Sequence, residues 1–388
     1  MKRLLMVATI SRFFRDFLLP YAEHFRAQGW QVDGMANGTS IYPECHDAFD
    51  QLWEIEWSRN PLDPHNLTKA VRALNKLVRQ EKYDIVHVHT PVAAFATRYA
   101  LRNLRQNGTP KVIYTAHGFH FHPLGNPMKN CIFLSLEKIA GFWTDYLVVM
   151  NDYDDKAAHR YHFVRPDRVC YMPGIGVDTM ALDPARIDKN DVGNVRRELG
   201  LSSEDKLFLM IAEFNPGKHH QYALDALSLL HMPNVHLALA GEGPLLDEMK
   251  LFAVKAGIAD RIHFLGFRRD IPFLIRAAVA TVLPSEREGL PKSVIESLSL
   301  EVPVIGTRIR GIRDLLNDQC GILVSLEKPL EMANAMRWMI DNPTTAQQMG
   351  KAGRKRVQNC DVRRIIRMHE QLYDHALTEE PVIISHAA

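Results

Sequence analysis

The chain has 388 residues, enough for two or three domains that each bury a core. Its apolar and charged fractions are those of soluble globular proteins, and a net charge of only +2 argues against a general affinity for nucleic acid or strongly acidic partners. Five cysteines (Cys45, Cys131, Cys170, Cys320, Cys360) lie far apart with no CxxC pair, which fits a reducing compartment and buried thiols rather than disulfides or zinc.

The opening MKRLLMVATISRFFRD carries a short apolar run that Arg12, Arg15 and Asp16 interrupt, so it reads as a first buried strand rather than a signal peptide. No uncharged apolar run approaches the ~20 residues needed to span a bilayer. YDIVHVHT, KVIYTAH and DYLVVMN follow as further buried strands, and LFLMIAEF, VHLALAGEG, RIHFLGF, AVATVLPS and VPVIGT form a second series. Amphipathic stretches such as HNLTKAVRALNKLVRQE and PLLDEMKLFAVKAG lie between them. Strands alternating with helices predict α/β architecture: two doubly wound parallel sheets, each covered on both faces. The Gly-, Pro- and Asp-rich CYMPGIGVDTMALDPARIDKND marks the boundary. The expected domains are 1–176, 177–360, and a helix with a loose tail over 361–388.

Strand one runs into SRFFRDF with no GxGxxG, which argues against a dinucleotide oxidoreductase. In open α/β sheets ligands bind beyond the carboxyl ends of strands, so the segments to inspect follow each strand. The richest is PSEREGLPKSVIES, Pro284 to Ser297. Pro291 suits the first position of a helix, where its missing N–H has no intrahelical partner. Backbone N–H groups around Gly289, Leu290 and Lys292 would then form an anion site at a helix N-terminus. Glu288 is better placed to accept hydrogen bonds from sugar hydroxyls than to favour a phosphate. Glu296 could accept from a second pair of hydroxyls, or simply pair with Lys292 at i,i+4.

Other patterns have plainer readings. Asp152-Tyr153-Asp154 looks like a DxD metal site, but Asn151 before it reads as an N-cap with acids in the first turn. His87-x-His89 and His117-x-x-His120-x-His122 lack a cysteine or carboxylate at ligand spacing, so core or pocket histidines are expected. Ser285 is not in a GxSxG elbow. Lys69, Arg72, Lys76 and Arg79 share one helical face, as do Arg98, Arg102 and Arg105. Each stripe reads either as a solvated surface or as a contact with anionic phospholipid.

EGLPKSVIE resembles the E-x7-E signature of family 4 glycosyltransferases, which have the GT-B fold of two Rossmann-like domains facing a cleft. The resemblance extends over nearly the whole chain: YDIVHVHTP, VIYTAHGFHF, DYLVVMN, YMPGIGVD, LALAGEGP, FLGFRRDI and LPSEREGLPKSVIESLSLEVPVIGT fall in the family's order. PGIGVD, TAHGFHF and RGIRDLL are most similar to enzymes that build bacterial exopolysaccharide or capsule repeat units.

The resemblance implies transfer of a sugar from a nucleoside diphosphate sugar, UDP-linked, to a hydroxyl of a glycan or lipid-linked acceptor. Transfer would proceed with retention and with neither metal nor other cofactor. Glu288, Gly289 and Leu290 would hold the donor sugar and diphosphate, and Glu296 the ribose. Lys218 would neutralise the diphosphate, His117 would reach the donor sugar, and Arg268 would lie beside the nucleobase. Asn215 and Ser285 fall in the matching strand-end loops. The family often has Gly-Arg where this chain has Ala212-Glu213, so one expected cation is missing. It often has Gly-Gly in the first loop, where Ser11-Arg12-Phe13-Phe14 stand here. Another Gly-Gly is replaced by Arg310-Gly311, which makes Arg310 a candidate compensating cation or else a surface ion pair. The rival readings are a sugar-nucleotide epimerase of the same fold and a catalytically silent binding subunit. The expected location is the cytoplasm, with peripheral contact to the inner membrane face through the two basic stripes.

Overall fold

The computed structural model describes residues 1–58, 63–104, 108–123 and 125–378. Two units divide the chain: Met1–Ile175 together with the chain from Arg363, and Gly176–Val362. Among the described residues each unit is built on one parallel sheet.

The first sheet contains β1 (Arg3–Ile10), β2 (Gln31–Asn37), β3 (Gln51–Glu54), β4 (Ile85–His89), β5 (Lys111–Ala116), β6 (Tyr146–Val149) and β7 (Val169–Tyr171). They lie in the order β3-β2-β1-β4-β5-β6-β7. The second contains β8 (Lys206–Ile211), β9 (Val235–Ala240), β10 (Ile262–Gly266), β11 (Ala280–Leu283), β12 (Val304–Thr307) and β13 (Gly321–Val324), in the order β10-β9-β8-β11-β12-β13. Every apolar run singled out in the sequence forms a strand. The near-continuous burial of β1, β4 and β8 is what a sheet covered on both faces demands.

Four strands carry weaker signals. β3, β7 and β13 are edge strands of three or four residues. β2 carries Asp33 and Gly34 in the middle of its run. Asp33 is fully buried and accepts a hydrogen bond from the Tyr83 hydroxyl at 2.5 Å, and burial raises its pKa.

The helix Val362–Thr378 belongs to the first unit from Arg363 onward. Its buried residues Ile365, Ile366, His369, Leu372, Tyr373 and Ala376 recur at helical spacing. Tyr373 donates to or accepts from His87 Nδ1 at 2.5 Å, and its ring lies 4.9 Å from that of Phe25. The tail beyond Thr378 lies outside the described residues. In the second unit, Val177 N–H donates to the Cys360 carbonyl at 2.9 Å and Val362 N–H to the Val177 carbonyl at 3.0 Å, which joins the two ends of that unit.

Candidate functional site

In the second sheet the chain runs outward from β8 through β9 to β10, then returns to β11 on the other side of β8. The loops after β8 and β11 therefore part at a topological switch point, where open α/β sheets bind ligands. Lys218 ends the single turn Pro216–Lys218 after β8, and Glu288 lies in the loop after β11. The Lys218 ammonium donates to Glu288 Oε1 at 2.5 Å. Glu286 N–H donates to the Gly217 carbonyl at 3.0 Å, and His219 Nε2 lies 3.2 Å from Glu286 Oε2. Three contacts thus join segments about 70 residues apart in sequence.

Neighbouring strands fix the shape of the Glu288 loop. Thr307 Oγ1, at the end of β12, donates to the Ser285 carbonyl. Ser285 itself is fully buried and its hydroxyl has no hydrogen-bond partner. Gly311 has φ +74°, and a Cβ there would lie 2.2 Å from the Gly289 carbonyl oxygen and 3.2 Å from that of Glu288. Only glycine permits this approach. Arg310, 8% exposed, is thereby placed beside the Glu288 loop and not on the open surface. The loop after β9 presses on the loop that follows β8: a Cβ on Gly241 would meet the Ala212 carbonyl oxygen at 2.0 Å.

The helix after this loop is Lys292–Ser299. Pro291 sits at its N-cap in extended conformation, one position earlier than expected, and its carbonyl accepts from Val294 N–H at 3.1 Å and Ile295 N–H at 3.3 Å. Gly289 and Leu290 form the turn that leads into that cap. Val294, Ile295 and Leu298 turn to the core, which leaves Glu296 partly exposed on the opposite side. Its carboxylate lies 3.6 Å from Lys292 Nζ, so the i,i+4 pair forms. Burial raises the Glu296 pKa, and Lys292 opposes that shift. Asn215 Nδ2 donates to Glu213 Oε2 at 3.1 Å, so Asn215 holds the carboxylate that stands where the family often has arginine.

Arg268 is not brought into this cluster. Its guanidinium is clamped by Glu198 at 2.5 and 2.9 Å and by Asp270 at 2.6 and 2.7 Å. These contacts push its already high pKa further up. Two carboxylates in bidentate reach take the donors that a nucleobase contact would use.

The first unit has its own switch point, between β1 and β4. Thr90 caps the helix Pro91–Leu101 with φ +62°, a strained conformation for a β-branched residue. Its hydroxyl accepts from Thr9 N–H at 2.9 Å. His117, after β5, places Nε2 3.1 Å from His89 Nδ1, and the Phe13 ring packs edge-on at 4.9 Å. The His89 ring lies 4.2 Å from that of His87, and the His87 ring 5.5 Å from that of His369. Burial, followed by the neighbouring His369, lowers the His117 pKa to about 3. Burial also pushes His87 and His89 well down, and His369 to about 4. The sequence showed His87 and His89 on one strand face. It gave no sign that Phe13 and His369 complete the stack.

Asp152 and Asp154 point to different surroundings. Asp152 is exposed and pairs with Lys156 at 3.2 Å. Asp154 is fully buried and accepts from Asn151 Nδ2 at 2.8 Å and Phe119 N–H at 3.2 Å. Asn151 caps this helix as expected, accepting from Asp154 N–H at 2.9 Å.

The second basic stripe is corrected. Arg98 is 2% exposed, bonded to Glu137 at 3.0 Å and stacked 4.1 Å from the Tyr114 ring centroid. Arg102 folds over Tyr99 at 3.7 Å, and Arg105 lies outside the described residues. An arginine on the inner side of a helix satisfies a partly buried carboxylate and cannot meet a lipid surface. Lys69, Arg72, Lys76 and Arg79 are all exposed.

Two parallel doubly wound units are the architecture of the GT-B fold, and comparison with known proteins identifies the family. Residues 191–356 match the model "Glycosyl transferases group 1" and residues 18–179 match "Glycosyltransferase Family 4". The chain belongs to this glycosyltransferase family. It is 35% identical to putative glycosyltransferase EpsD of Bacillus subtilis over 91% of both chains. It is 30% identical to the UDP-Gal:alpha-D-GlcNAc-diphosphoundecaprenol alpha-1,3-galactosyltransferase of Escherichia coli, over 71% of this chain and 70% of that one. Anabaena HepE in complex with UDP-glucose shares the fold at a TM-score of 0.81, with 18% identity over 96% of this chain and all of that one.

Proposed function

We propose that this glycosyltransferase moves a sugar from a UDP-sugar to a hydroxyl of a lipid-linked glycan in surface-polysaccharide synthesis, with retention and without a bound metal. The contact of Lys218 with Glu288 at the switch point of the second sheet carries the reading. The relative that uses UDP-Gal and a diphosphoundecaprenol acceptor supports the choice of donor and acceptor.

The physical task is to stabilise negative charge as it develops on the departing diphosphate. An ammonium has three donors, and Glu288 takes one of those on Lys218. The others are available to phosphate oxygens, and the amides at the start of the helix Lys292–Ser299 add a favourable dipole. Glu288 accepts hydroxyls of the transferred sugar, and Glu296 those of the ribose. Arg310, buried beside the Glu288 loop, is the candidate for the cation that Glu213 displaces. His117 is neutral at physiological pH because its pKa is so depressed, so it serves a sugar hydroxyl as a hydrogen-bond partner and not as a cation. Nε2 faces His89, which leaves Nδ1 for that role. Arg268 has no part in this assignment.

The test is calorimetry with UDP on the wild type and on Lys218→Ala, with turnover measured in excess chelator. Weakened UDP binding by the variant and turnover that survives EDTA are expected. Unchanged UDP affinity removes the diphosphate role of Lys218. Activity lost in EDTA and restored by magnesium or manganese removes the metal-free mechanism.

A further inference from the structure

The helix Pro127–Gly141 of the first unit leaves large apolar side chains in solvent. Met128 is 74% exposed, Ile132 53%, Leu136 36% and Ile139 47%, and Phe142 just past the end is 82% exposed. They stand at offsets 0, 4, 8, 11 and 14. At about 100° per residue they fill one arc of roughly 120°. Scattered exposed apolar residues are ordinary, but a contiguous stripe marks an interaction surface.

The charges around the stripe indicate what covers it. Lys129 and Lys138 are exposed and border the arc on its two sides. The helix has one acidic residue, Glu137, which turns inward to Arg98 at 3.0 Å and Tyr114 at 3.3 Å. An apolar face edged by lysines suits the boundary of an anionic bilayer, where the alkyl stems lie along the apolar region and the ammonium groups reach the headgroups.

A second cationic surface lies in the same layer. The chain steps one way across the sheet from β3 to β4, β5 and β6, so right-handed crossovers put the three connecting helices on one face. Lys69–Glu81 packs on Pro91–Leu101, which packs on Pro127–Gly141. Lys69, Arg72, Lys76 and Arg79 are exposed on the first of these, while its Glu81 is drawn aside to Arg3 at 2.6 Å. We infer that this layer docks on anionic phospholipid, with Met128, Ile132, Leu136, Ile139 and Phe142 inserted at the acyl boundary and the lysines and arginines on headgroups. The inference deepens the lipid-linked-acceptor reading. Its readout is membrane binding without acceptor or donor, so either reading can fail while the other stands.

Cys131 lies on the same face and is exposed, whereas Cys45, Cys170, Cys320 and Cys360 are buried. An environment-sensitive nitrobenzoxadiazole label on Cys131 of the full chain therefore reports the surroundings of the stripe. With vesicles of phosphatidylcholine and phosphatidylglycerol, the label should brighten and shift to the blue; with phosphatidylcholine alone it should respond much less. Met128→Asp combined with Ile132→Asp should lower vesicle partition by about tenfold or more, with an unchanged melting curve because both side chains are more than half exposed. Raising salt from 0.1 M towards 1 M should weaken wild-type binding as the Debye length falls from about 10 Å to about 3 Å. A wild type that ignores anionic vesicles, or binds them with no change in the Cys131 label, overturns the inference. So does a wild-type dimer in sedimentation velocity that the double variant turns into a monomer, because a second copy then covers the face.

Discussion

The two units share one architectural scheme and put different chemistry at the same place in it. Each has a parallel sheet whose order reverses beside its first strand, β1 in one and β8 in the other. At the second switch point the loops bring together a lysine and a glutamate, with a glycine pressed on the glutamate's backbone. At the first they bring together imidazoles and an aromatic ring, all neutral at physiological pH. Topology fixes where a site can be, and the loops decide whether it handles charge or neutral hydroxyls.

The largest expected effect separates the units by their histidines. His87, His89, His117 and His369 are held neutral in the first unit by depressed pKa values, of which His117 lies near 3 and His369 near 4. In the unfolded chain each titrates near its ordinary ~6.5. Their contribution is complete above that pH and is lost as pH falls towards the folded values. Each such group forfeits up to about 2 kcal/mol by pH 5. In the second unit His220 alone is comparably buried. Hydrogen exchange at pH 7 and pH 5 should therefore show the first unit losing more protection than the second. Equal losses break the comparison.

Arg98→Ala comes next. It strands Glu137, a carboxylate with little exposure, and should destabilise the first unit by about 3–5 kcal/mol. Denaturant titration followed by hydrogen exchange should place the loss in the first unit and leave the second unchanged.

Lys218→Ala should cost about 1.5–3 kcal/mol of UDP binding, roughly 10- to 150-fold, by removing a charge-assisted contact. His117→Ala should leave UDP affinity within about a factor of two and lower kcat, since a neutral partner of the sugar acts on the transferred group and not on the diphosphate. Calorimetry and initial rates on the two variants sharpen the contrast; a large loss of UDP affinity in His117→Ala dissolves it.

The smallest effect is at Glu296. Glu296→Ala should weaken UDP by about 1 kcal/mol and weaken 2′-deoxy-UDP less. Equal losses for the two ligands would leave Glu296 as the helix-surface partner of Lys292 at 3.6 Å and nothing more.

The sequence by itself determined the class of fold and the loops to inspect, because both depend on local periodicity. Buried parallel strands must be apolar on both faces, so β1, β4, β5, β6 and β8 to β12 announce themselves. Likewise, the Glu288–Glu296 stretch is one contiguous segment whose helix start is written in Gly289-Leu290-Pro291. The edge strands β3, β7 and β13 were too short to register, and β2 was masked by Asp33, whose burial the distant Tyr83 hydroxyl and Arg3 guanidinium make tolerable. Tertiary structure alone decided the pairings across long separations. Helical spacing put Arg98 on a basic stripe, but spacing cannot tell which side of a helix meets the sheet, and Glu137 and Tyr114 hold that side. Family position put Arg268 beside a base, yet Glu198, 70 residues away, closes on its guanidinium. The stripe from Met128 to Phe142 shows the same limit, because periodicity in a sequence shows that a side is apolar and not what covers it. Lys218 and Glu288 meet because β8 and β11 are neighbours, and adjacency of strands is a property of the whole sheet.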